Sequence, residues 1–249
     1  MAGRLDGQVA LVSGASSGIG AATARALAEQ GAAVAVAARR TDRLGNLADE
    51  IRGAGGRALV VELDVSDLES CRRAVAITRE ELGRLDVLVN NAGIGTLGPV
   101  LGADPEDWRR TVEINLLGVM FLTSAAIEGL VEQGAGHVVA VSSVGGRVAH
   151  AGNAVYGATK FGVNAFCEGL RQEVTGRGVR VTMVEPGLVA TEITATIPDE
   201  EHRRSMEQRL QESAPLQPED IADAVLWAVT RPSHVSVNEV LVRPTEQER

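Results

Sequence analysis

An α/β fold, with one doubly wound, seven-stranded parallel sheet and helices on both of its faces, is what this sequence predicts. Three observations carry the prediction. The 249 residues are 45% hydrophobic, which suffices for a sizeable core and suits a single α/β domain over 1–249. Seven short β-branched runs recur between turn residues, with helical patterns between them, as in βαβ units whose sheet is covered on both faces. Proline-and-acid cap signals mark helix starts where those units need them.

The elements follow in order. Val9–Ser13 reads as the first strand, and the run Ser13-Gly14-Ala15-Ser16-Ser17-Gly18-Ile19-Gly20 leads into an Ala-rich helix from Ala21 to Gln30. Val34–Ala38, Ala58–Leu63 and Val87–Asn90 are the next strands. Asp104-Pro105-Glu106-Asp107 supplies an N-cap, a proline at the first helical position and first-turn acids for a helix over Trp108–Leu130. His137–Ser142 is the fifth strand, a helix runs from Tyr156 to about Val174, and Val179–Val184 is the sixth strand. Residues 188–215 break this regularity: a Thr-rich segment precedes the charged run Asp199–Glu212, whose clear apolar anchors are Met206 and Leu210. Two readings stand for it, a mobile substrate lid and a solvated surface helix. Gln217-Pro218-Glu219-Asp220 starts a helix over Ile221–Val229, and Glu239–Val242 is the seventh strand.

Composition narrows the function classes. With 24 basic and 33 acidic residues the net charge is −9, which argues against a general binder of nucleic acid or of anionic membranes. No run approaches the roughly 20 uninterrupted apolar residues of a membrane span. Met1–Gly7 also lacks the apolar core of a signal peptide, so a soluble, cytoplasmic protein is expected. Cys71 and Cys167 lie far apart without a CxxC or His/Cys cluster, which suggests reduced, buried thiols and no metal site.

The glycine run sits at the first strand-to-helix junction. There glycines let the backbone approach a diphosphate, whose charge meets free N–H groups and the positive end of a helix dipole. Gly14, Ser16, Ser17, Gly18, Ile19 and Gly20 are therefore candidate dinucleotide ligands. The second strand ends Ala37-Ala38-Arg39-Arg40, with no acid to accept the adenosine ribose hydroxyls. An arginine fork suits a 2′-phosphate, so the expected cofactor is NADP(H), with Arg39 the first choice of ligand and Arg40 the second. Asp64-Val65 and Asn90-Asn91-Ala92-Gly93 end the third and fourth strands, where open α/β sheets bind ligands. Asp64, Val65, Asn91, Ala92 and Gly93 join the cofactor set on that ground.

One lysine, Lys160, and one tyrosine, Tyr156, occur in the whole chain, four residues apart. Residues i and i+4 share a helix face, so the ammonium can lower the phenol's pKa and fit it for general acid/base work. TGxxxGxG, NNAG, a mid-helix Asn, Ser, YxxxK and PG, in that order, is the pattern of the short-chain dehydrogenase/reductase family. The sequence resembles that family over essentially its whole length, through Ser13–Gly20, Asn90–Gly93, Asn115, Ser143, Tyr156/Lys160 and Pro186-Gly187.

The resemblance implies a single-domain Rossmann fold and an NADP(H)-dependent oxidoreductase that interconverts a carbonyl and an alcohol on a small organic substrate, without a metal. It implies that Tyr156 is the catalytic acid/base, that Lys160 lowers its pKa and holds the nicotinamide ribose, and that Ser143 binds the substrate oxygen, with Ser142 as the fallback. Asn115 would hold a water leading to Lys160. Thr191 would contact the carboxamide beside Val189, with Pro186 and Gly187 bordering the nicotinamide. Arg39-Arg40, Glu185 and the ending Asn238–Thr245 resemble the branch of clavulanic acid dehydrogenase and the NADP-dependent serine/3-hydroxy acid dehydrogenases, which implies aldehyde or ketone reduction in secondary metabolism. A homotetramer, or a dimer, is implied too, with the helices at Trp108–Leu130 and Tyr156–Val174 in the interface. The rival readings are a non-catalytic nucleotide sensor or scaffold and a 3-hydroxy acid dehydrogenase. His150, Asn153, Gly145, Gly146 and residues 188–215 are the expected pocket wall. Arg203, Arg204 and Arg209 could attract an acidic substrate or simply face water.

Overall fold

In the computed structural model, which describes residues 3–248, every residue of Val9–Ser13 (β1) is buried. The expected domain over 1–249 also takes in Met1, Ala2 and Arg249, which lie outside the described residues. Ala33–Ala38 (β2) and Arg57–Glu62 (β3) build outward from β1 on one side. The chain then returns to lay Val87–Asn90 (β4) against the other side of β1, followed by Gly136–Val141 (β5), Val179–Pro186 (β6) and Glu239–Val242 (β7). All pairings are parallel, in the order β3-β2-β1-β4-β5-β6-β7. The reversal opens a crevice at the carboxyl ends of β1 and β4, where ligands of such sheets bind.

Strand alternation splits the core in two. Val12, Val36, Val89 and Val139 face Leu27 of Gly18–Glu29 (α1), Leu44 of Thr41–Gly53 (α2) and Ile221 of Pro218–Val229, the last helix. Leu11, Ala35, Leu88 and Val138 face Val75 of Leu68–Leu82 (α3) and the helices beyond it. Fully burying a leucine is worth about 1.5–3 kcal/mol over leaving it exposed, and Leu11, Leu27, Leu44 and Leu88 are each 0% exposed.

The caps are where the sequence places them. Asp104 accepts from Glu106 N at 2.9 Å with Pro105 in the first turn, and Gln217 N donates to Asp220 at 2.7 Å ahead of the last helix. Several boundaries shift by a residue or two, and three of the differences bear on the site. The helix expected from Ala21 starts at Gly18, so the end of the glycine run is itself the first turn. β6 extends to Pro186 because β7 pairs with it that far. The expected Trp108–Leu130 helix is divided into Pro105–Val112 (α4), a π-helical turn at Glu113–Leu117 and Gly118–Glu132 (α5). As one rod, Pro105–Glu132 is long and apolar enough to cross a membrane by composition. Here Leu122, Ala126 and Leu130 of that rod are buried beneath the sheet beside α3.

Ala154–Val174 (α6) covers the same face. Between β6 and the final helix, Val189 bridges Leu216, a 3₁₀ turn spans Glu192–Thr196, and Glu200–Glu212 (α7) follows without a buried residue. We call Pro218–Val229 α8.

Candidate active site

The crevice between β1 and β4 is shaped by a few short side chains. Ser13 Oγ donates to Val89 O at 3.2 Å and accepts from Asn91 N at 3.0 Å and Ala92 N at 3.2 Å, tying the two strand ends together. Asn91 Nδ2 donates to Ser13 O at 3.0 Å and Gly14 O at 3.3 Å, so the amide of the Asn-Asn-Ala-Gly run holds the glycine loop in place. Gly18 has φ +53°, a left-handed value that disfavours a side chain. A Cβ on Gly20 would lie 2.4 Å from Gly14 O and 2.5 Å from Asn91 Nδ2. The loop therefore closes tightly against Asn91 and leaves Ser16 to Ile19 facing a cavity of about 840 Å³.

At one end of that cavity Arg39, Arg40 and Arg43 enter from the β2–α2 junction. Arg40 donates to Ser16 Oγ at 2.9 Å and Ser17 Oγ at 3.0 Å. Asp64, at the end of β3, accepts from Ser66 Oγ at 2.6 Å. Burial pushes its carboxyl up, but the Ser66 bonds and the Arg39 and Arg110 charges outweigh that and leave it below the usual range.

At the other end Ser143, Tyr156 and Lys160 meet. Ser143 accepts from Gly145 N at 3.0 Å, which starts the turn Val144–Gly146, and its hydroxyl hydrogen-bonds the Tyr156 phenol. Ser142 is buried and donates instead to Lys160 O at 3.5 Å. Lys160, one helical turn past Tyr156 on α6, is 6% exposed, with Nζ 5.7 Å from the tyrosine ring centroid and donating to Val141 O at 2.9 Å. Burial pushes its amine down to about 8. The phenol differs from the sequence expectation: burial raises it, and the Ser143 hydrogen bond only partly offsets this.

Asn115 lies behind Gly93 in the π-helical turn, accepting from Ile94 N and donating to Ile94 O, both at 2.8 Å, with a longer bond to Thr159 Oγ1 at 3.4 Å. A π-turn re-aims one side chain out of a helix, and here it lets Asn115 grip the strand-end backbone. Glu185 is 0% exposed and accepts from Arg147 Nε at 2.9 Å and Asn164 Nδ2 at 2.7 Å; Arg147 also pairs with Glu239 of β7. This network anchors the turn that follows Ser143.

Nearly all of the sequence-selected residues line the one cavity, including Pro186, Gly187, Val189 and Thr191. Gly20, Asn115 and Gly146 stand behind its wall. Sequence reasoning missed Arg43 and Gln247, and it placed Glu192 in the pocket-wall segment 188–215 without singling it out. Arg43 was legible as a turn-spaced neighbour of Arg39 and Arg40. Gln247, whose Oε1 accepts from Leu188 N at 2.9 Å, carries no sequence signal because the tail folds back from a distance. Residues 188–215 form the remaining wall, with Thr196 Oγ1 accepting from Gly95 N at 2.8 Å and Met206 and Arg209 facing inward from α7.

A family profile described as short chain dehydrogenase matches residues 8–202. Glycine betaine reductase of Emericella nidulans is 39% identical over 245 residues; the match covers 98% of this chain but only 19% of that protein. An oxidoreductase of Staphylococcus aureus is 35% identical, covering 96% of this chain and 98% of its own. Among solved structures, the closed form of serine dehydrogenase complexed with NADP+ superposes with a TM-score of 0.91 at 35% identity, covering 97% of both chains. Alcohol dehydrogenase from Thermococcus sibiricus, complexed with 5-hydroxy-NADP, gives 0.87 at 32% identity and covers 97% of this chain and 98% of that one. Matching profile, near full-length relatives and close superposition on solved structures converge: the chain belongs to the short-chain dehydrogenase/reductase family of oxidoreductases.

Proposed function

We propose that the protein is an NADP(H)-dependent oxidoreductase that interconverts a carbonyl and an alcohol on a small organic substrate. The observation that carries this reading is the Ser143–Tyr156–Lys160 cluster at one end of the same cavity whose other end is walled by the glycine loop and three arginines. The donor set fits the cofactor: where an NAD enzyme presents an acid, this chain presents Arg39 and Arg40, and the loop from Gly14 to Ile19 offers backbone N–H groups to a diphosphate. Asp64 and Val65 would border the adenine, Asn91, Ala92 and Gly93 the ribose, and Pro186, Gly187, Val189 and Thr191 the nicotinamide. When bound, the nicotinamide supplies or accepts the hydride.

The chain's own residues handle the proton and the orientation. Ser143 donates to the substrate oxygen and fixes it beside the phenol. Tyr156 gives its hydroxyl proton to that oxygen in reduction and takes it back in oxidation. Lys160 keeps positive charge behind the phenol, which favours the phenolate left after transfer. NADPH consumption over a panel of aldehydes and ketones tests the reading. Tyr156→Phe is expected to lose at least about 100-fold in kcat, the lower end of general acid/base contributions. A variant with full activity overturns the mechanism.

A second reading narrows the substrate to a carboxylate-bearing one. Arg209 lines the cavity and its side chain has no hydrogen bond or ion pair among the described residues, whereas Arg204 is paired with Glu200. Including 3-oxo acids in the panel separates the readings, because Arg209→Ala raises KM for the acids alone. The likeness to serine dehydrogenase favours including them. We further propose that the enzyme works as a homotetramer or dimer.

A further inference from the structure

Glu192 follows Thr191 directly and opens the 3₁₀ turn that leads to α7. Both of its oxygens accept from Arg43 Nη1 at 2.8 Å, and Oε2 also accepts from Arg40 Nη1 at 3.1 Å. The partners, 149 and 152 residues apart in sequence, all line the cavity, so the ion pairs tie the β2–α2 junction to the segment that follows β6. Arg40 is at the same time hydrogen-bonded to Ser16 and Ser17 of the glycine loop. A carboxylate and a phosphate present the same kind of acceptor to a guanidinium fork, so the two compete for these N–H groups. All three side chains are partly exposed, which keeps the pairing weak and exchangeable.

We propose that Glu192 is a cofactor-exchange residue: its carboxylate occupies Arg40 and Arg43 until an adenosine 2′-phosphate displaces it, and it re-forms these bonds as that phosphate leaves. The role rests on the NADP(H) reading above. It lowers affinity for the phosphorylated cofactor, narrows the preference over NAD(H), and joins arrival of the phosphate to release of the segment before α7. Glu192 touches no reacting atom in this scheme; it is a specificity-determining residue that acts through the two arginines.

Calorimetric titration of the full chain with 2′,5′-ADP and with 5′-AMP tests it without turnover. Glu192→Gln is expected to bind 2′,5′-ADP about three- to fivefold more tightly than wild type, the range of one to two partly exposed ion pairs, and to bind 5′-AMP equally well. Glu192→Ala shifts in the same direction. In an Arg40→Ala background the gain shrinks, as expected if the two side chains are coupled. Wild-type preference for 2′,5′-ADP without a gain in either Glu192 variant overturns the exchange role alone. Equal wild-type affinity for the two ligands overturns the NADP(H) reading and the exchange role with it.

Discussion

Lys160 holds its charge where desolvation works against it, and that has a measurable sign. Its amine sits near 8 in the folded protein against 10.5 in a free chain, so between those values the unfolded state binds more protons and stability rises with pH. Cys71 and Cys167, pushed up to about 12 by burial, act in the opposite direction above the ordinary thiol range. Urea unfolding at pH 7.5 and 9, compared between wild type and Lys160→Met, isolates the lysine: the variant is expected to lose the rise. Identical pH slopes in the two proteins would show that Lys160 is not the proton donor to this linkage. At this scale the sequence was informative about which residues assemble, since Tyr156, Lys160 and Ser143 meet as their spacing suggests. It was less informative about how they are tuned. Burial sets the state of Lys160, and the extent of burial cannot be read from an i, i+4 spacing.

His137 on β5 faces the corresponding problem between strands. Its Nε2 bonds Thr182 Oγ1 on β6 at 2.7 Å, Nδ1 has no partner among the described residues, and burial with the nearby Arg180 charge pushes the imidazole down to about 3. The folded state keeps it neutral while the unfolded chain protonates it near 6.5, so stability is lost as pH falls from about 6.5 toward 3. His137→Leu is expected to flatten that acid slope in thermal melts between pH 7 and 4, and a parallel slope would assign the linkage elsewhere. All seven strands were visible in the sequence as short apolar runs, and their edges moved by at most two residues. The π-helical turn at Glu113–Leu117 was not visible. It depends on Asn115 gripping Ile94 from another element, a tertiary contact that helical periodicity does not encode.

Across the described residues nine large apolar side chains remain exposed, Leu101 most of all, and four of them stand on the elements that flank two edges of the fold. Phe161 and Val112 stand out beside the α4–α6 contact, with Phe161 43% exposed; Trp227 and Leu241 stand out on α8 and β7, with Trp227 48% exposed. Two such patches suit two self-complementary contacts, the arrangement of a tetramer with dihedral symmetry. Phe161→Glu is expected to lower the mass in light scattering to that of a dimer, and a monomeric wild type at all concentrations removes the proposal. Sequence order alone indicated the sheet, because strand–helix alternation with parallel crossovers leaves few topologies. It could not show that the C-terminal tail returns to the cavity through Gln247, or that β7 reaches the turn beside Ser143. That second contact has a consequence for biosynthesis. A ribosome-bound chain that has not yet made Glu239 already contains the glycine loop, the serine, the tyrosine and the lysine. Its Arg147 still lacks one of its two carboxylates and β6 still lacks its outer neighbour. The turn at Val144–Gly146 gains this support only once β7 has been made, so the groups of the site are synthesised well before the contact that completes their surroundings.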